Sequence, residues 1–295
     1  MPPRDIALVL LVCLVWAANF LTSAYALREL SPFLFTGLRM ALLGTLLLPF
    51  LQRPAADQWG RLVAIALVMG VLHFGFAFWG LQLAGNLASP AIVMQSYVPM
   101  AALLAWWMLG ERFGWRTGLG IGVSFGGVLV LGLDPLVLQS PGSLLVVLLA
   151  AAFMALGTVL MRGLTGQSLF SLQGWIAVIG VGPLFLIAVL FEDGVVASVR
   201  EASWVAWAGV AYSALLSSLL GHGLYYRLVL RHRVADITPW LLLAPLLAVG
   251  LGIAFWGDRP GPRLYVGGAL VLGGVLAVAL RARARARPAP PAVDA

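Results

Sequence analysis

The chain has 295 residues, of which 62% are hydrophobic and only 10% are charged, and its mean hydropathy is +1.00. A soluble globular domain is about a quarter charged, so this composition excludes one. The net charge of +7 comes from arginines in short clusters between apolar runs, which indicates membrane spans and no nucleic-acid surface.

Ten apolar runs in chain order are each long enough to cross a bilayer as a helix, which takes about 20 residues. They cover residues 6–27, 33–51, 62–83, 89–109, 117–133, 143–161, 169–191, 204–226, 235–256 and 264–280. The first run is longer than the apolar part of a signal peptide, so we expect it to be retained as a span. The sequence therefore predicts an all-α membrane protein with ten transmembrane helices.

The first two spans carry polar side chains at membrane depth. Asn19 is an uncharged donor and acceptor, and Trp16 shares its helix face because the two are three residues apart. Arg39 lies about seven residues into the second span, where an arginine is costly unless it is paired or hydrated. It either binds a substrate carboxylate or nearby helix-end carbonyls, or extends to the membrane interface. Asn19 either lines a cavity or bridges two helices.

Two histidines, His73 and His222, occupy the third and eighth spans. Imidazole titrates near neutral pH, so these residues are the candidates for exchanging protons if transport is proton-coupled. The alternative is a neutral histidine bonded to a helix carbonyl. Phe76 lies on the predicted face of His73, together with Ala77 and Gly80, and Trp79 is beside that face.

The fourth span combines Gln95 and Tyr97 with Pro99. In a regular helix Gln95 and Tyr97 point about 200° apart, so both face one cavity only if the helix is distorted. Pro99 and Pro245 occupy matching places in the fourth and ninth spans, and an interior proline kinks a helix. We expect this pair to take part in gating.

The fifth span has glycines every four residues at Gly118, Gly122 and Gly126, a pattern that allows close helix packing. We expect this face to pack within the bundle, with a homodimer interface as the alternative.

Arginine distribution predicts the orientation. With a cytoplasmic amino terminus, the cytoplasmic segments carry thirteen arginines and the opposite face carries Arg28, Arg200, Arg259 and Arg263. This positive-inside bias places both termini in the cytoplasm. The basic, Pro/Ala-rich tail at 283–295 is expected to be disordered and to contact anionic lipid.

The two halves of the sequence are related. At an offset of 147 residues, Glu111-Arg112 falls on Asp258-Arg259, and Gly126-Gly127-Val128-Leu129 falls on Gly273-Gly274-Val275-Leu276. Five spans is an odd number, so the second copy must enter the membrane from the opposite side, as in secondary transporters. The predicted domains are 1–137 and 138–282, two inverted five-helix repeats.

Several short motifs carry a family resemblance. They are Leu14-Val15-Trp16-Ala17-Ala18-Asn19-Phe20, Ser31-Pro32, Gly37-Leu38-Arg39, Leu109-Gly110-Glu111-Arg112 and Trp256-Gly257-Asp258-Arg259. Together they resemble the EamA domains of the drug/metabolite transporter superfamily over nearly the whole chain. The stretch from Leu87 to Gln95 is similar to bacterial inner-membrane exporters of cysteine-pathway metabolites and other amino acids. That similarity implies that Gln95 lines a cavity. Pro99 and Asp258 depart from the pattern of those exporters.

The resemblance and the residues predict a secondary exporter of small amphipathic metabolites, most plausibly amino acids or derivatives, in the inner membrane. No acid lies at membrane depth, which argues against a proton-coupled exporter of cationic drugs. No phosphate-binding loop or metal cluster is present, so we expect no cofactor, no metal and transport driven by a gradient. The alternatives are another metabolite class, such as a sugar, purine or drug, or a membrane enzyme or lipid-handling protein.

Overall fold

The computed structural model describes residues 2–232, 237 and 240–285, and within them it leaves out the side chains of 229 and 282–285. Every regular element in this part of the chain is helical. Nine of its helices are long and apolar enough to cross a membrane, and a tenth, shorter apolar helix follows residue 242. The chain is therefore an integral, multi-pass membrane protein.

The ten membrane helices are numbered α1 to α10 in chain order. They are α1 Pro3–Ala26, α2 Pro32–Phe50, α3 Ala56–Ala84, α4 Ala88–Leu109, α5 Trp115–Gly132, α6 Pro141–Met161, α7 Leu169–Phe191, α8 Trp204–Leu228, α9 Leu243–Trp256 and α10 Pro262–Arg285. Short helices at Pro135–Leu138 and Val195–Glu201 lie between them.

The helix ends follow the local sequence. Proline opens α2 and α10, at Pro32 and Pro262, where its missing N–H costs no hydrogen bond. Glycine in the left-handed conformation ends α3, at Gly85, and α9, at Gly257, with φ of 62° and 86°. These prolines and glycines set where the helices begin and end, and so define short connections between the spans that the hydropathy pattern predicted.

Helices α5 and α10 pack backbone to backbone, which joins the last helix of each half. A Cβ atom at Gly127 would lie 2.6 Å from the amide nitrogen of Val271, and one at Gly274 would lie 2.5 Å from the carbonyl oxygen of Gly120. Only glycine permits this approach. The glycines that matter are therefore those on the α10 side of α5.

The predicted packing of the Gly118, Gly122 and Gly126 face within the bundle is wrong. A Cβ atom at Gly122 or Gly126 would meet nothing within 4 Å, and one at Gly118 would meet only the ring of Phe113. The reason is that Gly120 and Gly127 already turn the other side of α5 toward α10. A homodimer through the open face stays a prediction.

The predicted tail lies mostly outside the described residues. Helix α10 continues to Arg285, so residues 283–285 extend the last span as a helix. The rest of the tail, 286–295, is among the residues that the structure leaves undescribed, as are 233–236 at the predicted start of the ninth span.

Candidate functional site

A cavity of about 210 Å³ is lined by helices of both halves. Each half contributes polar and aromatic side chains to the same space, so the cavity lies where the two repeats meet. The lining residues are Trp16, Asn19, Phe20, Arg39, His73, Phe74, Ala77, Phe78, Leu81, Pro90, Met94, Gln95, Tyr97, Met154, Ser217, His222, Leu241, Ala244 and Pro245.

Seven of the nine residues predicted to bind substrate line this cavity. They are Trp16, Asn19, Arg39, His73, Gln95, Tyr97 and His222. Of the predicted gating pair, Pro245 lines the cavity and Pro99 does not. Helix α2 contributes Arg39 to the lining.

Phe76 and Trp79 do not line the cavity, because the inner face of α3 is rotated from its predicted direction. The residues of α3 that line the cavity are His73, Phe74, Ala77, Phe78 and Leu81. Phe76 instead packs between helices α2 and α6, with ring centroids 6.1 Å from Phe33 and 5.6 Å from Phe153. Trp79 contacts Phe76 edge to face, with ring centroids 5.6 Å apart, and is 37% exposed.

Arg39 is 2% exposed, so it does not extend to the membrane interface. Its Nη2 donates to Ser218 Oγ at 2.6 Å and its Nε donates to the carbonyl oxygen of Ser213 at 3.4 Å. The guanidinium carbon lies 4.0 Å from the centre of the Phe74 ring. Its Nη1 is buried and has no hydrogen-bond partner. The cavity thus holds a cation whose contacts in the described chain are all neutral.

A π-helical segment ends at or directly before the cavity histidine in each half. One covers Ala66–His73 in α3, and the other covers Tyr212–Gly221 in α8, directly before His222. Such segments widen the helix and shift the side chains that follow. In α8 the carbonyl of Ser213, which lies in this segment, accepts from both Arg39 and Ser218.

Both histidines are held through Nδ1. His73 Nδ1 lies 2.9 Å from the carbonyl oxygen of Ala150, and His222 Nδ1 lies 3.2 Å from the carbonyl oxygens of Ser217 and Ser218. A carbonyl oxygen can only accept, so each Nδ1 carries a proton, and in the neutral form of each ring Nε2 is the acceptor.

Two further lining residues differ in whether their polar atoms have a hydrogen-bond partner. The indole Nε1 of Trp16 donates to the Ser217 carbonyl at 3.2 Å, and its ring centroid lies 5.2 Å from that of His222. Asn19 Oδ1 is buried without a partner. Two residues that line the cavity, Asn19 and Arg39, therefore each have a buried polar atom, an acceptor and a donor, without a partner in the described chain.

The break in each proline-containing helix explains how α4 and α9 reach the cavity. A 3₁₀ turn at Met94–Ser96 interrupts α4 immediately before Tyr97, and α9 begins at Leu243, two residues before Pro245. Successive side chains are about 120° apart in a 3₁₀ turn and about 100° apart in an α-helix. The smaller angle between Gln95 and Tyr97 is therefore about 120° at 3₁₀ spacing, compared with about 160° in a regular α-helix. Both therefore line one cavity.

Lining residues that the sequence did not identify are mostly apolar, such as Phe74, Phe78 and Met154. Nothing in their type distinguishes them from other membrane-facing side chains. Ser217 was identifiable in principle, because the Ser217-Ser218 pair is polar within an apolar run.

At the end of the bundle that carries residues 192–203, carboxylates of one half bind backbone amides of the other. Glu192, which ends α7, accepts from Ser31 Oγ at 2.6 Å and from the amides of Phe33 and Leu34 at 2.8 and 3.0 Å. It therefore caps the amino end of α2.

Three more carboxylates make similar contacts at this end. Asp258 accepts from the amides of Leu87 and Ala88, and Asp134 accepts from those of Gly261 and Leu264. Burial raises the pKa of Asp258 above its ordinary value, while those two amides act in the opposite direction. Glu29 accepts from the amide and hydroxyl of Ser203, which hold the pKa of Glu29 below its ordinary value.

At the opposite end other residues join the two halves. Gln52 bonds to the amide of Ser168 and the hydroxyl of Ser171, and its carbonyl accepts from the indole of Trp175 at 3.0 Å. Arg162 and Glu111 form an ion pair across the halves. The two ends of the bundle are thus fastened by different sets of bonds.

The described geometry agrees with what comparison with known proteins finds. The model of the EamA-like transporter family matches residues 4–133 and 141–280, one match in each half. A solved crystal structure with 19% sequence identity superposes with a TM-score of 0.62 and covers 97% of this chain and 100% of its own, which shows the fold alone.

Two relatives have informative names. A protein of Escherichia coli (strain K12) called "Probable amino-acid metabolite efflux pump" is 25% identical over 93% of this chain and 94% of its own length. A Streptantibioticus cattleyicolor protein called "Probable terminal-alkyne amino-acid exporter" is 30% identical over 68% of this chain and 67% of its own.

Proposed function

Because the chain belongs to the EamA-like transporter family, we propose that it exports small amphipathic metabolites, namely amino acids or their derivatives, by alternating access. Two relatives bear names that describe amino-acid metabolite efflux and amino-acid export. The family match confirms the resemblance drawn from the motifs and supports a transporter in place of an enzyme.

The observation that carries the proposal is the cavity shared by both repeats. Its volume of about 210 Å³ is smaller than the roughly 300 to 1,000 Å³ of pockets that hold drug-sized ligands. Its wall combines aromatic rings, including Trp16 and Phe78, with polar atoms on Asn19 and Arg39. This combination favours a metabolite with one polar end and one apolar end.

Alternating access requires that the halves move against each other while the site stays between them. We infer that the carboxylate caps at one end, such as Glu192 on α2, and the Gln52 contacts at the other end break in turn. The breaks beside Pro99 and Pro245 give α4 and α9 places to bend.

The energy source is a gradient, either of the substrate or of protons. If export is coupled to protons, His73 and His222 are the candidates to exchange them, because both line the cavity with Nδ1 bonded to a backbone carbonyl, which leaves Nε2 as the atom that takes up or releases a proton. The arginine distribution supports an inner-membrane location with both termini in the cytoplasm.

The test is counterflow in proteoliposomes, in which unlabelled amino acid inside the vesicle drives uptake of labelled amino acid. We expect counterflow for at least one apolar amino acid or derivative. Ala77→Trp should abolish it, because an indole would fill the cavity. Ala208→Trp, a matched change on the exposed side of α8, should not.

Absence of counterflow for every amino acid tested would contradict the proposed substrate class. Counterflow for a sugar or a purine in the same vesicles would then favour the alternative metabolite class. Equal activity of the two tryptophan variants would show that this cavity is not the transport site.

A further inference from the structure

Arg39 has a charge that its described surroundings do not balance. It is 2% exposed, and it lies among Phe74, Ser213 and Ser218, which are all neutral. None of the described residues that line the cavity is Asp or Glu. A guanidinium stays protonated in proteins and is costly to bury without a counter-charge, so an anion in the cavity would relieve a real penalty.

The hydrogen bonds of Arg39 show where such an anion would bind. Nε and Nη2 are occupied by the Ser213 carbonyl and the Ser218 hydroxyl, which fix the plane of the guanidinium. Nη1 is buried and has no partner, although the residue lines the cavity. A fixed plane with an unused donor suits an anion, because Nη1 can bond to it while Nε and Nη2 keep their partners.

The surroundings of Arg39 also restrict the rest of the ligand. Phe74 lies against the guanidinium at 4.0 Å and Phe78 at 5.8 Å, measured from the guanidinium carbon to the ring centroids. An apolar body next to the anionic group would therefore contact aromatic rings. The volume of about 210 Å³ admits a small molecule only.

We propose that Arg39 is the carboxylate-binding subsite of this cavity, so that a free carboxylate is the feature that all transported molecules share. This inference rests on the proposed export function for its biological meaning. Apolar amino acids and their N-substituted derivatives satisfy it. Amides, esters and decarboxylated amines of the same size do not, because they give the guanidinium no negative charge to bind.

The first test uses the unaltered protein and measures binding directly. Purified protein is titrated with leucine, N-acetyl-leucine and isovalerate, and with leucinamide and isoamylamine, while thermal unfolding is followed. A ligand that binds the folded state raises the unfolding temperature in proportion to its affinity. We expect every carboxylate to bind at least about tenfold more tightly than the matched amide or amine, which corresponds to about 1.4 kcal/mol.

The second test uses variants. Arg39→Gln should remove the preference for carboxylates over amides, and Arg39→Lys should retain part of it, because the charge is kept and the planar geometry is lost. Arg200→Gln, an exposed arginine on the short helix Val195–Glu201, is the control and should leave the preference unchanged. If Arg39→Gln does not fold, the lysine variant and the ligand panel on the unaltered protein still decide.

A chloride ion offers the same chemistry to a guanidinium, so the titrations are repeated with chloride replaced by isethionate. Stabilisation by chloride alone, with no carboxylate preference in its absence, would overturn the proposal in favour of an inorganic anion. Equal binding of leucine and leucinamide would also overturn it and would leave Arg39 with a structural role between α2 and α8.

Failure of this inference is distinguishable from failure of the proposed function. Carboxylate binding through Arg39 without counterflow would keep the subsite and refute export of these compounds. Counterflow that accepts amides and carboxylates equally would keep export and refute the subsite.

Discussion

Glu192 is the carboxylate with the most bonds between the halves, and its removal gives a quantitative test of the fold. It accepts three hydrogen bonds, from Ser31 Oγ, Phe33 N and Leu34 N, at 2.6, 2.8 and 3.0 Å. Pro32 has no N–H, so these two amides are the first donors of α2. Glu192→Ala leaves them without a protein partner at the end where α7 lies against α2.

The expected cost follows from the kind of bond. A hydrogen bond to a charged group contributes about 1.5–3 kcal/mol, and loss of an amino-terminal cap costs about 0.5–2 kcal/mol. Glu192 is half-buried, so water replaces part of what is lost. We therefore expect Glu192→Ala to cost about 2 kcal/mol, which lowers the midpoint of thermal unfolding by about 4–8 °C.

The assay is thermal unfolding of the purified protein in detergent, with Glu192→Gln and Asp193→Ala measured in parallel. The glutamine keeps one acceptor oxygen and should lose about half as much. Asp193 is exposed and adjacent, so its alanine variant should match the unaltered protein. If the alanine variants at 192 and 193 unfold at the same temperature, the cap on α2 does not stabilise the bundle and the reasoning fails.

Three further predictions concern packing, pH and coupling. Gly127→Ala places a Cβ 2.6 Å from the backbone of α10 and should destabilise by about 1–3 kcal/mol, whereas Gly122→Ala, with nothing within 4 Å, should leave the unfolding midpoint unchanged. The bonds from Ser203 lower the pKa of Glu29, so the stabilising effect of Glu29 should be present at pH values above its ordinary pKa of 4.5 and should be lost as the pH falls below that value. Glu29→Gln should therefore flatten this part of the curve of stability against pH, and an unchanged curve would refute the assignment. If His222 couples transport to protons, His222→Asn should keep counterflow and lose the stimulation of uptake by a proton gradient, and full stimulation would remove that residue from the coupling role.

The fold follows from the sequence because the bilayer leaves few solutions. Hydropathy located the spans, and residues that stop or start helices, such as Gly85 and Pro262, lie at their ends. Polar side chains at membrane depth, Arg39 among them, identified most of the polar lining of the cavity, because such residues are costly in lipid and turn inward.

What the sequence did not predict depends on contacts between distant parts of the chain. Spacing along α3 gives a stripe, but the direction of that stripe depends on the packing of Phe76 between α2 and α6, so Phe76 and Trp79 were misplaced. The sequence does not reveal that Glu192 caps α2, because its partner Phe33 lies 159 positions away. The predicted packing of the Gly118, Gly122 and Gly126 face was wrong for the same reason, since only the position of α10 shows which glycines of α5 contact another helix.

The most direct test of the account is thiol labelling of a single cysteine in the cavity, from each side of the membrane. Cys13, the chain's one cysteine, is buried, so Cys13→Ala provides the background for Ala77→Cys. We predict that a membrane-impermeant reagent reaches this cysteine from either side, in right-side-out and in inside-out vesicles, and that an amino acid active in counterflow slows both reactions. Labelling from one side only, or no protection by such an amino acid, would contradict a shared cavity with alternating access.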